Sequence, residues 1–108
     1  MYHQLFNEDE IKAHSKVLRK QAKKEGLGYI EDKLIEEMGE LLQALIKRRR
    51  HRGEKYDGVT LLQHFAEEMA HVQLRLNQIM ITLNNPLDFY YAKSFIVKIE
   101  EIRIKLKK

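Results

Sequence analysis

Glu36-Glu37-Met38-Gly39-Glu40-Leu41 is echoed 31 positions later by Glu67-Glu68-Met69-Ala70-His71-Val72. Both copies read Glu-Glu-Met-small-X-apolar, where X is Glu40 in the first and His71 in the second. Each lies in a segment whose apolar residues recur at helical spacing. Carboxylates this dense beside an apolar stripe repel one another unless a positive charge sits among them. A divalent metal ion supplies such a charge.

Helical geometry sharpens the point. At about 100° per residue, setting Glu37 at 0° puts Glu40 near 300° and Ile30, Leu34, Met38, Leu41 and Leu45 between roughly 20° and 100°. Setting Glu68 at 0° puts His71 near 300°, with Leu61, Phe65, Met69, Val72 and Leu76 over the same roughly 20–100° range. The two segments therefore carry their polar pairs at the same edge of the same kind of stripe. If the stripes pack together, Glu37, Glu40, Glu68 and His71 converge at one rim of the core. Glu36 and Glu67 lie one step further round, as outer ligands or solvated groups. The alternative is two ordinary solvated helix faces, paired with Lys33 or Arg75. Hard oxygen ligands suit Mg²⁺ or Mn²⁺.

Outward from this pair, the chain reads as four helices. Asn7 and Glu10 form a capping box opening a helix over 8–24, with Phe6 stapled onto Ile11, and Gly26 and Gly28 end it. The second helix spans 29–50, with Glu31 and Asp32 at its positive end and Lys47-Arg48-Arg49-Arg50 at its negative end. A loop over 53–58 closes on the Asp57-Gly58 turn signal. Thr60 and Gln63 form a second capping box for a helix over 60–83. Asn84-Asn85-Pro86 breaks it, and Ala92, Phe95, Ile96, Ile99, Ile102 and Leu106 recur at helical spacing to the end. No segment alternates with period two. The expectation is an all-α, four-helix, antiparallel bundle-like fold, one domain over residues 1–108.

The chain of 108 residues allows one modest core, marginal alone, which favours an oligomer. It has no cysteine, so disulfides and thiolate zinc sites are excluded. No apolar run approaches the roughly 20 residues that span a bilayer, and the start has no signal-peptide pattern. A cytoplasmic location is expected. The formal charge of +4 interleaves 20 basic with 16 acidic residues, which suits an anionic small molecule as well as nucleic acid.

Glu37-x-x-Glu40, 27 intervening residues, then Glu68-x-x-His71 resembles the motif of the MazG-like, all-α nucleoside triphosphate pyrophosphatases. The surrounding Lys33-Leu34-Ile35-Glu36-Glu37-Met38-Gly39-Glu40-Leu41 and Phe65-Ala66-Glu67-Glu68-Met69-Ala70 are similar too, and the likeness covers roughly residues 29–83. The resemblance implies packed helices forming a homodimer or homotetramer. It implies Mg²⁺ held by Glu37, Glu40, Glu68 and the residue at position 71, and cleavage of a nucleotide between its α- and β-phosphates. Glu36 or Glu67 is then the carboxylate that orients the attacking water. The family carries Asp where this chain has His71. Imidazole is a poor partner for Mg²⁺ and a good one for Mn²⁺, Zn²⁺ or Fe²⁺. Catalysis then runs on Mn²⁺, or a neighbour such as Glu67 fills the gap, or the scaffold binds without turnover. Glu68-x-x-His71 is also the local motif of di-iron bundles, but Glu37-x-x-Glu40 is not what that site needs. His64, one turn before Glu68, shares its side of the wheel.

Arg48 and Arg49, in the run Lys47-Arg48-Arg49-Arg50-His51-Arg52, are candidate polyphosphate contacts, because the guanidinium fork matches phosphate oxygens. Lys33 and Lys93 are further candidates, beside Lys98 and Arg103. A solvated helix end and a nucleic-acid contact are the other readings of the run. Phe89, Tyr90 and Tyr91 are divided between core and surface, or stack on a base across a subunit boundary.

Overall fold

The computed structural model describes residues 5–50 and 55–107. Four helices carry the described residues: α1 (Glu8–Glu25), α2 (Leu27–Arg50), α3 (Lys55–Leu83) and α4 (Leu87–Leu106). The all-α expectation holds, and no strand occurs among the described residues.

The ends of the helices follow from local chemistry. Asn7 caps α1 as its sequence predicts: its Oδ1 accepts from the Glu10 N–H at 2.8 Å, and Glu10 Oε1 accepts from the Asn7 N–H at 3.3 Å. Phe6 meets the His14 ring edge-on, with centroids 4.8 Å apart. Gly26 ends α1 at φ +86°, a backbone region that side-chain-bearing residues rarely enter, and its N–H bonds to Ala22 O. α2 follows at once, so Gly28 lies inside it, and Glu31 and Asp32 fall past its first turn.

The expected loop over 53–58 is corrected. Residues 53 and 54 lie outside the described residues, and α3 has already begun at Lys55. Gly58 and Thr60 are therefore helical. One glycine in a helix costs about 1 kcal/mol, which continuation of α3 overrides. Asn84 closes α3 at φ +50°, its N–H bonded to Met80 O.

α2 and α3 form the main seam. Across it Glu40 lies with Glu68 and His71, and Glu37 with Arg75. Among the described residues, Ala22, Ile30 and Ala44 are the buried apolar ones, and Glu68 and Gln78 are buried with them. The expected stripe is thinner than its pattern. Leu34, Leu41, Leu45, Leu61, Phe65 and Val72 are half-buried, whereas Met38, Met69 and Leu76 are exposed.

α4 does not join the other three. Leu87 and Asp88 are half-buried against the end of α3, and every later residue of the helix is exposed. Phe89, Tyr90 and Tyr91 are all surface residues, which corrects their partial assignment to the core. The radius of gyration is 16.8 Å, against about 13 Å for a compact chain of this length. The chain extends 43 Å along two principal axes and 28 Å along the third. α3, 29 residues at about 1.5 Å each, is long enough to account for one long axis.

Candidate metal centre

Three of the four expected ligands converge. One ligand atom each from Glu40 on α2 and from Glu68 and His71 on α3 lies within 4.8 Å of the others. The convergence follows from the two wheels: Glu68 and His71 are three residues apart, hence on one face of α3, and that edge faces Glu40. Glu68 is buried at 7% exposure, while Glu40 and His71 open to solvent. His71 Nδ1 stands 3.6 Å from Glu68 Oε2, too long for a hydrogen bond, and that buried oxygen has no hydrogen-bond partner.

The electrostatics are unfavourable for a metal-free site. Among the described residues, no Lys or Arg pairs with Glu40 or Glu68. Partial desolvation pushes the Glu40 carboxyl above its usual range, and the neighbouring carboxylates of Glu68, Glu36 and Glu37 push it further the same way.

Glu37 points elsewhere. Its Oε1 lies 3.7 Å from Arg75 Nε, and its buried Oε2 has no hydrogen-bond partner. Arg75 also donates to Glu25 Oε2 at 3.0 Å and to Gln78 Oε1 at 2.9 Å. Gln78 Nε2 donates to Gln21 Oε1 at 2.8 Å, and Gln21 Nε2 to Glu25 Oε1 at 3.1 Å. Arg75, Gln78, Gln21 and Glu25 thus close a ring of polar contacts joining α1 to α3, with Glu37 of α2 at its edge. The Arg75 guanidinium also lies 5.9 Å from the centroid of the Tyr29 ring. Sequence pattern marks only Arg75 of this ring as a partner for the acidic faces. Glu25 and Gln21 are some 50 residues away, and no local spacing announces them.

The remaining expected residues are spread out. Glu36 is exposed and bonded to Lys33 at 3.3 Å, an interaction that raises the Lys33 pKa. So the pairing with Lys33 or Arg75 holds for Glu36 and Glu37, but not for Glu40 and Glu68. Glu67 and His64 are exposed on α3. Arg48 and Arg49 are exposed at the end of α2, and His51 and Arg52 of the same run lie outside the described residues. By helical geometry Lys47, two turns beyond Glu40, falls within about 20° of its side, whereas Arg49 falls about opposite. Lys93 is on α4, which joins α3 12 residues beyond His71, or about 18 Å along the axis. One chain does not bring it to the group.

Glu40, Glu68 and His71 fit a divalent cation. The observation that decides it is the buried, unpartnered oxygen of Glu68 with a second carboxylate and an imidazole beside it. Two carboxylates and one imidazole suit Mn²⁺ better than Mg²⁺. No family model, curated protein or solved structure matches this chain.

Proposed function

We propose that the protein is a metal-dependent nucleotide pyrophosphohydrolase of MazG-like type, cleaving a (d)NTP to the monophosphate and pyrophosphate. The single observation behind this reading is the Glu40–Glu68–His71 group, two carboxylates without a cation at the edge of a helix seam. The motif spacing that resembles the family supports it.

Glu40, Glu68 and His71 hold the ion, Mn²⁺ in preference to Mg²⁺. A bound divalent ion neutralises polyphosphate charge and acidifies coordinated water. Glu36 or Glu67, each exposed and next in sequence to a residue of the acidic pairs, would accept the proton of the attacking water. Lys47 and Lys33, about two turns after and before Glu40 on α2, receive the phosphates more readily than Arg49. The protein acts in the cytoplasm as a homodimer or homotetramer.

Incubation of each (d)NTP with the protein and Mn²⁺ or Mg²⁺ tests the reading. Monophosphate plus pyrophosphate is the expected outcome, faster with Mn²⁺. No product with either metal, at enzyme concentration near that of substrate, excludes the hydrolase.

A second reading is a catalytically silent nucleotide- or partner-binding protein on the same scaffold. The engagement of Glu37 by Arg75 favours it, because that leaves three ligands where the family motif implies four. It predicts thermal stabilisation by metal and nucleotide without turnover. A nucleic-acid accessory role predicts salt-sensitive binding lost when Arg48, Arg49 and Arg50 become Ala and unaffected by Glu37→Gln.

A further inference from the structure

We propose that α4 is an exchanged arm: in a homodimer, each copy lays its α4 into the apolar groove between α1 and α3 of the other. The inference stands apart from the hydrolase reading and requires no metal.

The area argument comes first. A compact monomer of 12.9 kDa exposes about 6300 Å², and this chain exposes 9156 Å². The excess, about 2800 Å² per chain or about 5600 Å² for a pair, exceeds what a weak contact removes. It lies at the upper end of obligate homodimers, whose interfaces total about 2000–5000 Å² and more over both partners. Among the described residues, Ala22, Ile30 and Ala44 are the fully buried apolar ones, a small core for a free monomer of this size.

The arm and the groove are then matched. α4 carries a broad apolar face: Phe89, Phe95, Ile96, Ile99 and Ile102 fall within about 140° of one another on its wheel and are each about half exposed or more. A face that wide is ordinarily covered, and its own chain leaves it open. Four of its seven charged residues pair within the helix, Lys98 with Glu101 at 3.2 Å and Arg103 with Glu100 at 2.7 Å. Docking on the apolar face leaves Lys93 and Lys105 to the rim, where their long side chains reach water. The groove, about 710 Å³, is lined by Val17 and Leu18 of α1 and by Ala66, Met69, Ala70 and Leu74 of α3 among others. Its α3 wall over 66–77 is about 17 Å long, and the apolar stretch 89–102 of α4 is about 20 Å.

The arm of the same chain does not fill this groove. It is joined to α3 by three residues, its first turn is fixed by bonds from the Asp88 N–H to Asn84 O and the Tyr90 N–H to Pro86 O, and every residue of the helix after Asp88 is exposed. Reciprocal exchange places each arm on the other copy's groove, a closed twofold arrangement that leaves neither surface open.

Two experiments on the full chain test this. Sedimentation equilibrium at micromolar concentration gives a mass of about 26 kDa, twice that of the chain, or a higher even multiple; a monomer overturns the proposal. The chain has no cysteine, so single cysteines report cleanly. Coexpressing differently tagged Leu74→Cys and Ile96→Cys chains gives a disulfide joining the two tags under mild oxidation. A dimer without that bond overturns the arm-in-groove pairing. A chain carrying both cysteines that closes only within itself shows a folded-back arm and overturns it equally.

Discussion

The α2–α3 seam and α4 divide the chain's polar and apolar resources in opposite ways. The seam buries polar groups: Glu68 and Gln78 are buried, and Arg75 lies in a ring of polar partners shared with α1, where a helical bundle ordinarily packs leucine. α4 exposes hydrocarbon: residue after residue of Phe, Tyr and Ile faces water. A helix seam that sequesters carboxylates without a cation is incomplete electrostatically, and a helix whose broad apolar face is uncovered is incomplete by packing. On the readings proposed above, a cation meets the first deficit and another protein surface the second.

The largest expected effect falls on α4. Ile96→Glu combined with Ile99→Glu removes the apolar surface of two large side chains, about 3–6 kcal/mol if both are buried in the dimer. Sedimentation of the double variant reads this as loss of the dimer. A pair of equally exposed positions on α1, Lys12→Glu with Lys16→Glu, leaves the mass unchanged.

Arg75→Ala comes next and separates structure from site. Removing the guanidinium leaves Glu25 and Glu37 without their cation. The cost is about 3 kcal/mol in denaturant unfolding, the lower end for a buried pair because both carboxylates keep some contact with solvent. The same change frees Glu37, so divalent cations recover part of the loss, more than they add to the native protein. If metal has no larger effect on the variant, Glu37 and the Glu40 group are independent.

Mn²⁺ itself stabilises the protein by about 2.7 kcal/mol at a hundred times its dissociation constant, read as a rise in unfolding temperature. His71→Asp shifts the preference toward Mg²⁺, raising affinity for that ion on the order of tenfold. A fall in Mg²⁺ affinity instead shows that position 71 is no ligand.

The smallest effect is on pH dependence without metal. The Glu40 carboxyl titrates above its ordinary value, so the folded protein holds a proton that the unfolded chain has released. The stability this gives is present at low pH and is lost as pH rises through the ordinary and then the raised value. Glu40→Gln removes that loss, making the metal-free protein more stable near neutral pH while weakening its response to Mn²⁺.

Much of this was readable from residue order. The capping box at Asn7 and Glu10 depends on three-residue spacing alone, and it formed as read. The convergence of Glu40, Glu68 and His71 followed from two wheels with matching edges. What escaped the sequence depends on partners distant in the chain. Glu37 and Glu40 share a face by spacing, yet Arg75 captures Glu37 because Glu25, arriving from α1, helps fix the guanidinium there. α4 carries the pattern of a core helix, and its periodicity says it must be covered without saying by what. The start of α3 was misplaced because Asp57-Gly58 and the Thr60–Gln63 capping box are local signals, and helix continuation overrode both.

The metal centre is tested most directly by titrating Mn²⁺ into the native protein and Glu68→Gln while following the electron paramagnetic resonance signal of the free ion. The native protein removes the signal in a saturable way, and the variant, at equal fold content, leaves most of it. Equal loss of signal in both proteins would contradict the assignment of Glu68, Glu40 and His71 as the cation site.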